Sequence, residues 1–157
     1  MVEKTKDPWS DDAFGEDSEV KSQEIDWGKP GDHIVGTFVK ARHNVTPSNG
    51  SNSIYELLAE RGQFFRLIGK NPLTRVPADK PTKIEKDATW NVWGRGDIFN
   101  GQMNSLRPGQ IIKLQYMGDE DGNAGRTWKN IKIFAPNGND GKPLVNQEWL
   151  DNQFVTG

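Results

Sequence analysis

Residues 92–118 read "VWGRGDIFNGQMNSLRPGQIIKLQYMG", and the fold turns on how this stretch is divided. Its left end completes "ATWNVWG", a short run of strand-forming residues closed by Gly94. Asp97 stands where a helix N-cap is expected, and Phe99, Met103 and Leu106 follow at i, i+4 and i+7 on one helical face. "RPG" at 107–109 stops that helix. Beyond it Ile112, Leu114 and Tyr116 alternate against Ile111, Lys113, Gln115 and Met117, the isoleucine pair leaving the inner face open. The stretch therefore reads as strand, helix, strand.

Working outward toward the C-terminus, "DEDGNAG" at 119–125 reads as a turn and "TWKNIKIF" at 127–134 as a strand returning antiparallel. Ile131 and Ile133 fall on one face of it, Trp128, Asn130 and Lys132 on the other. The tail "VNQEWLDNQFVTG" predicts a short helix around Glu148–Gln153. Toward the N-terminus, residues 70–87 combine Pro72, Pro77 and Pro81 with Lys70, Arg75, Lys80, Lys83 and Lys86, a long basic connection. "IYELLAERGQFFRLIG" reads as a strand to Arg61, a turn at Gly62 and extended residues 63–69, although its periodicity alone also admits a helix. A loop over 46–53 separates it from a first strand, "HIVGTFVKARHNV". There Val35, Val39 and Ala41 share one face and Phe38, Lys40 and Arg42 the other, with Gly36 marking a bulge or bend.

The expected class is mainly β: a five-stranded antiparallel barrel over residues 32–136 with one helix between its third and fourth strands. Residues 1–31 read as an acidic flexible arm and 137–157 as a C-terminal extension carrying the short helix. Of 157 residues, 33% are hydrophobic, and 17 Gly and 9 Pro call for many turns. That apolar share is below the roughly 45–50% usual in globular domains on a scale that counts glycine. The chain has no cysteine, which excludes disulfides and thiolate metal sites and suits a reducing compartment. With neither an apolar run of membrane-spanning length nor a signal-like start in "MVEKTKDPWSDD", a cytoplasmic location is expected, in the host cytoplasm if the protein is viral. The net charge of −2 conceals an asymmetry. Residues 1–32 hold 10 Asp+Glu and 4 Lys+Arg, net −6, and the remainder holds 12 and 16, net +4. An acidic arm on a basic body suggests nucleic-acid contact.

The segments "PGDHIVGTFVKA", "VWGRGDIFNGQMNSLRPGQIIKLQYMG" and "GRTWKNIKIF" together resemble oligonucleotide/oligosaccharide-binding (OB) fold single-stranded DNA-binding proteins, especially compact phage-type ones, over roughly residues 30–135. The resemblance implies a basic groove across the barrel with bases stacked on aromatic rings. Carried onto this sequence, the aromatics are Phe38, Trp90 or Trp93, and Trp128, and the cations are Lys40, Arg42, Lys113, Lys129 and Lys132. Well-known relatives carry an acidic tail at the C-terminus, whereas this chain ends "QFVTG" and has its acidic stretch at the N-terminus.

The chemistry supports that expectation independently. Any base presents a π-face to an aromatic ring, and lysine or arginine beside it neutralises phosphate. Aromatic beside cation occurs at Phe38/Lys40/Arg42 and again at Trp128/Lys132. Trp90 and Trp93 have opposite parity, so one of them joins that face; Trp93, followed by Arg95, is the expected one. The expected function is sequence-tolerant binding of single-stranded DNA, or of RNA, in replication or recombination, with replication or recombination proteins as partners of the acidic arm through Trp9 and Phe14. The alternative is an OB-like structural or protein-interaction module of a phage particle or replication assembly.

Sharper motifs fail on inspection. "RGD" at 95–97 leads into a helix, and "DEDGN" at 119–123 has Asn130 where a calcium loop needs its bidentate glutamate. No phosphate loop or metal-spaced histidines occur, and Glu56 and Glu60 are read as a solvated pair, so neither catalysis nor a cofactor is expected.

Overall fold

The computed structural model describes residue 9 and residues 23–43, 53–71, 74–122 and 127–155. Most of the expected acidic arm, most of the expected loop 46–53 and residues 123–125 of the expected turn lie outside the described residues, and residues 119–121 of that turn belong to the strand that precedes it. The elements in chain order are β1 (His33–His43), β2 (Ser53–Phe64), β3 (Leu67–Ile68), β4 (Val76–Pro77), β5 (Thr82–Ile84), β6 (Thr89–Trp93), α1 (Asp97–Asn104), β7 (Ile111–Asp121), β8 (Thr127–Phe134) and α2 (Gln147–Val155). All strand pairings between them are antiparallel. The main sheet runs β5, β2, β1, β7, β8, with β6 also on β2, and β3 pairs β4 apart from it.

β1 organises the sheet, and its two irregularities set which side chains enter the core. The register with β2 shifts between Val35 and Gly36, where Glu60 is the extra residue, and again between Phe38 and Lys40, where Val39 is. Each bulge inverts the alternation of its strand, since side chains otherwise change face at every residue. The irregularity expected at Gly36 lies on the strand opposite, at Glu60 of β2, and a Cβ on Gly36 would collide with the Leu58 carbonyl oxygen. Gly62 does not end β2 in a turn, as the sequence suggests, but sits within the strand facing Ile34, with φ of 155° and the chain continuing to Phe64.

The core gathers Ile34 and Phe38 from β1, Tyr55, Leu57 and Phe64 from β2, Trp90 and Val92 from β6, Ile112, Leu114 and Tyr116 from β7, and Ile131 from β8. Phe64 and Trp90 meet edge to face with ring centroids 5.3 Å apart. α1 buries Phe99 and Met103, as its spacing predicts. Its cap is Gly96, with φ 59°, and Asp97 is the first helical residue, where its charge complements the N-terminal dipole. α2 begins one residue before the expected span; Asn146 Oδ1 accepts the Trp149 N–H at 3.0 Å, and Leu150 packs against Gly109.

Two expectations are corrected. The flexible arm does not extend to residue 31, because Ile25 and Trp27 are core residues, 5% and 2% exposed. The buried Asp32 carboxylate secures this strap, accepting the N–H groups of Gly28, Lys29 and Phe65 at 2.8, 3.0 and 3.0 Å. Nor does the sheet close into a barrel. The outer edge of β6 is taken by residues 23–25: Asn91 N–H donates to Gln23 O (2.7 Å) and Ile25 N–H to Asn91 O (3.1 Å) around a parallel bridge at Glu24. With that edge occupied, β8 has no second strand partner among the described residues, and α1 packs beside it instead.

Candidate nucleic-acid interface

The open seam beside β8 forms a groove of about 1110 Å³. One wall is β8 itself. Facing it are Leu67 of β3, Arg75, and the turn from Arg95 to Phe99 that leads into α1. Arg75, Arg95, Lys129 and Lys132 line it against the carboxylates of Asp97 and Asp119. Trp128, 48% exposed, and the exposed Lys132 project from the face of β8 opposite Ile131, as the alternation of "TWKNIKIF" requires. Ile131 is buried and Ile133 packs on the core.

A second, apolar groove of about 720 Å³ crosses the outer face of the sheet. Its floor is one cross-strand row: Arg61 of β2 opposite Val35, Val35 opposite Lys113, and Lys113 opposite Phe134. Lys113 Nζ lies 5.9 Å from the centre of the Phe134 ring, at the outer limit of cation–π attraction. Ile133 and Phe134 line both grooves, so the two meet at the end of β8.

The remaining expected residues fall elsewhere. Arg42, Ile54 and Trp93 form another cross-strand row over β1, β2 and β6, with Arg42 exposed and Trp93 half-buried. Lys40, in the neighbouring row, stands opposite Glu56, which offsets its charge. Between this patch and the grooves lies Thr37, 4% exposed, whose hydroxyl oxygen accepts from Asn146 Nδ2 at 2.8 Å; the C-terminal segment thus divides the outer face. Phe38 is 3% exposed and belongs to the core, which corrects its assignment as a stacking ring. The bulge at Val39 is the cause: it places Phe38 and Ala41 on the inside together and leaves Lys40 and Arg42 outside. Trp90 is likewise a core residue, leaving Trp93 as the ring nearer the surface.

Lys129 and Arg95 line the β8 groove from its floor. Lys129 shares the parity of Ile131; its Nζ donates to Trp27 O at 2.9 Å, lies 3.8 Å from Asp119 and sits 4.7 Å above the Tyr116 ring. The Tyr116 hydroxyl donates to Asp119. Burial first, then that hydrogen bond and the Asp119 charge, push the phenol well above its ordinary value. Burial pulls Arg95 below its usual value, opposed by Tyr116 and Asp119, and its Nε meets no acceptor among the described residues. These two cations therefore belong to the inner framework of the groove more than to its rim.

No family model, curated protein or solved structure matches the chain.

Phe134 and Arg61 were not among the expected residues. Phe134 could have been found, since it continues the parity of Trp128 and Lys132 at the end of the same strand. Arg61 could not, because its face depends on the bulge at Glu60. Glu56 and Glu60 give no paired-carboxylate site: Glu56 faces Lys40, and Glu60 lies 3.7 Å from Lys86.

Proposed function

We propose that this chain binds single-stranded DNA without sequence preference, protecting or presenting it in replication or recombination. The observation that carries the reading is Trp128 with Lys132 on the outward face of β8, in a groove that Arg75 also lines. A half-exposed tryptophan contributes a stacking surface to any base, at about 1–3 kcal/mol per base, and the cations around it neutralise phosphates. The pairing order β6, β2, β1, β7, β8, with α1 between β6 and β7, supports an OB-like derivation in which the last seam is left open.

Titrating the tryptophan fluorescence with oligothymidine at low and moderate salt, beside duplex DNA and oligouridine of equal length, tests it. Quenching by the DNA single strand that weakens with salt is the expected result, and Trp128→Ala lowers the affinity by about 5- to 150-fold, the equivalent of one stacked base. Absence of quenching at either salt overturns the reading; equal or tighter binding of oligouridine reassigns the ligand to RNA. The edge of β8, which has no second strand partner among the described residues, favours one second reading, an interaction module that accepts a partner's strand. That reading expects no salt-dependent oligonucleotide binding.

A further inference from the structure

We infer that the bound strand follows a bent path with two arms, one along β8 and one across the sheet, joined at Phe134. The inference rests on the single-stranded DNA reading and adds a second subsite to it. The first arm runs from Trp128 to Phe134 in the groove beside β8. The second runs from Phe134 over Lys113 and Val35 to Arg61, one residue from each of four adjacent strands. Phe134, 45% exposed, lines both grooves and stands at the corner.

The chemistry of the second arm matches that of the first without repeating it. Val35, Ile111 and Phe134 give it an apolar floor suited to base faces, and Arg61 and Lys113 supply cations for the backbone. Among the described residues no carboxylate lines it. Six residue-to-residue steps along the strand make the first arm about 20 Å long, and three inter-strand steps make the second about 14 Å. A stacked single strand advances roughly 3.4 Å per nucleotide and a stretched one more. The two arms together therefore hold about five to ten nucleotides, within the range found for a single OB unit. A strand of about four nucleotides fills the β8 arm alone.

The test uses the full chain, its intrinsic tryptophan fluorescence, and oligothymidines of about four and about ten nucleotides, lengths that bracket one and two arms. Arg61 and Lys113 line only the second groove, so Arg61→Ala and, separately, Lys113→Ala weaken the longer strand severalfold and leave the shorter within about twofold. Each also makes the dependence of log affinity on log salt shallower by about 0.7 for the longer strand, the loss of one phosphate contact. Thermal melting of both variants checks that the sheet is intact. Equal weakening of both lengths, or no effect on either, overturns the two-arm path while leaving the β8 site standing. If neither length binds the wild-type chain, the single-stranded DNA reading fails first and the path falls with it.

Discussion

Phe38 and Trp128 illustrate how one residue type is put to two uses by its position on a strand. Both were expected to present a ring to solvent, and the alternation of β8 keeps Trp128 outside because no irregularity intervenes between it and Ile131, the register shift of that pair falling on β7 near Met117. In β1 the extra residue Val39 resets the alternation, so Phe38 turns inward against the chemistry of its immediate neighbours. Phe38→Ala is expected to cost about 3–5 kcal/mol, the usual loss for a fully buried phenylalanine, read from urea denaturation. Outward residues with a regular period were thus legible in the sequence, and those beyond a bulge were not, because nothing in "TFVKA" states which residue goes unpaired. Tyr116 carries a second prediction at this scale. Below about pH 10 the ring keeps its proton folded or unfolded, and it adds no pH dependence. Above that, the unfolded phenol ionises while burial and Asp119 hold the folded one protonated. The unfolded state then binds fewer protons, so stability falls as pH rises, by up to about 1.4 kcal/mol per unit for this one group. Tyr116→Phe flattens that alkaline slope, leaving the contribution of Tyr55, which burial raises in the same direction. Urea midpoints across the alkaline range measure it, and an unchanged slope would show that Tyr116 is not the group responsible.

At the scale of elements, β1, β7 and β8 announce themselves by period, whereas β4 and β5, inside the segment read as a long basic connection, and the strap over 23–32 do not. Ile25 and Trp27 are isolated apolar residues among charges, and the strap that carries them is held by Asn91 of β6 and by the Phe65 N–H, partners distant in sequence that leave no local signature. What the sequence does mark is the turn "WGKPGD", and the structure explains its aspartate: one buried oxygen satisfies three backbone donors. Asp32→Ala strands all three N–H groups and is expected to destabilise the fold by about 3 kcal/mol or more. Asp32→Asn keeps an acceptor oxygen and loses less. A melting series of the two variants separates the acceptor oxygen from the negative charge; equal losses would assign the effect to the charge of the carboxylate, since asparagine keeps both the volume and an acceptor. The same strap limits how the acidic arm can be tested, since a deletion that passes Ser22 begins to remove the partners of Asn91, and one that passes Asp26 removes Trp27 from the core.

For the whole molecule, the mainly β, antiparallel character was readable from the chain and closure was not. Residues 23–25 occupy the outer edge of β6, and β8 has no second strand partner among the described residues. The open seam that results is also the wider groove, so the departure from a closed barrel and the candidate site have a common cause. The charge asymmetry of the chain acts on the same surface: its basic share lies after Asp32, and Arg61, Arg75, Lys113 and Lys132 border the two grooves. Stacking and phosphate contact leave different signatures in such a site, and these can be separated. Neutralising a phosphate releases counterions, so removing Lys132 makes the salt dependence of single-strand binding shallower by about 0.7 in log–log slope. Stacking releases none. Trp128→Ala is therefore expected to lower affinity at every salt concentration while leaving the slope unchanged. Titrations of Lys132→Ala and Trp128→Ala over a range of salt measure both quantities at once. If Trp128→Ala reduced the slope as much as Lys132→Ala does, the tryptophan would be supporting the placement of a cation, and the base-stacking role assigned to it would be wrong.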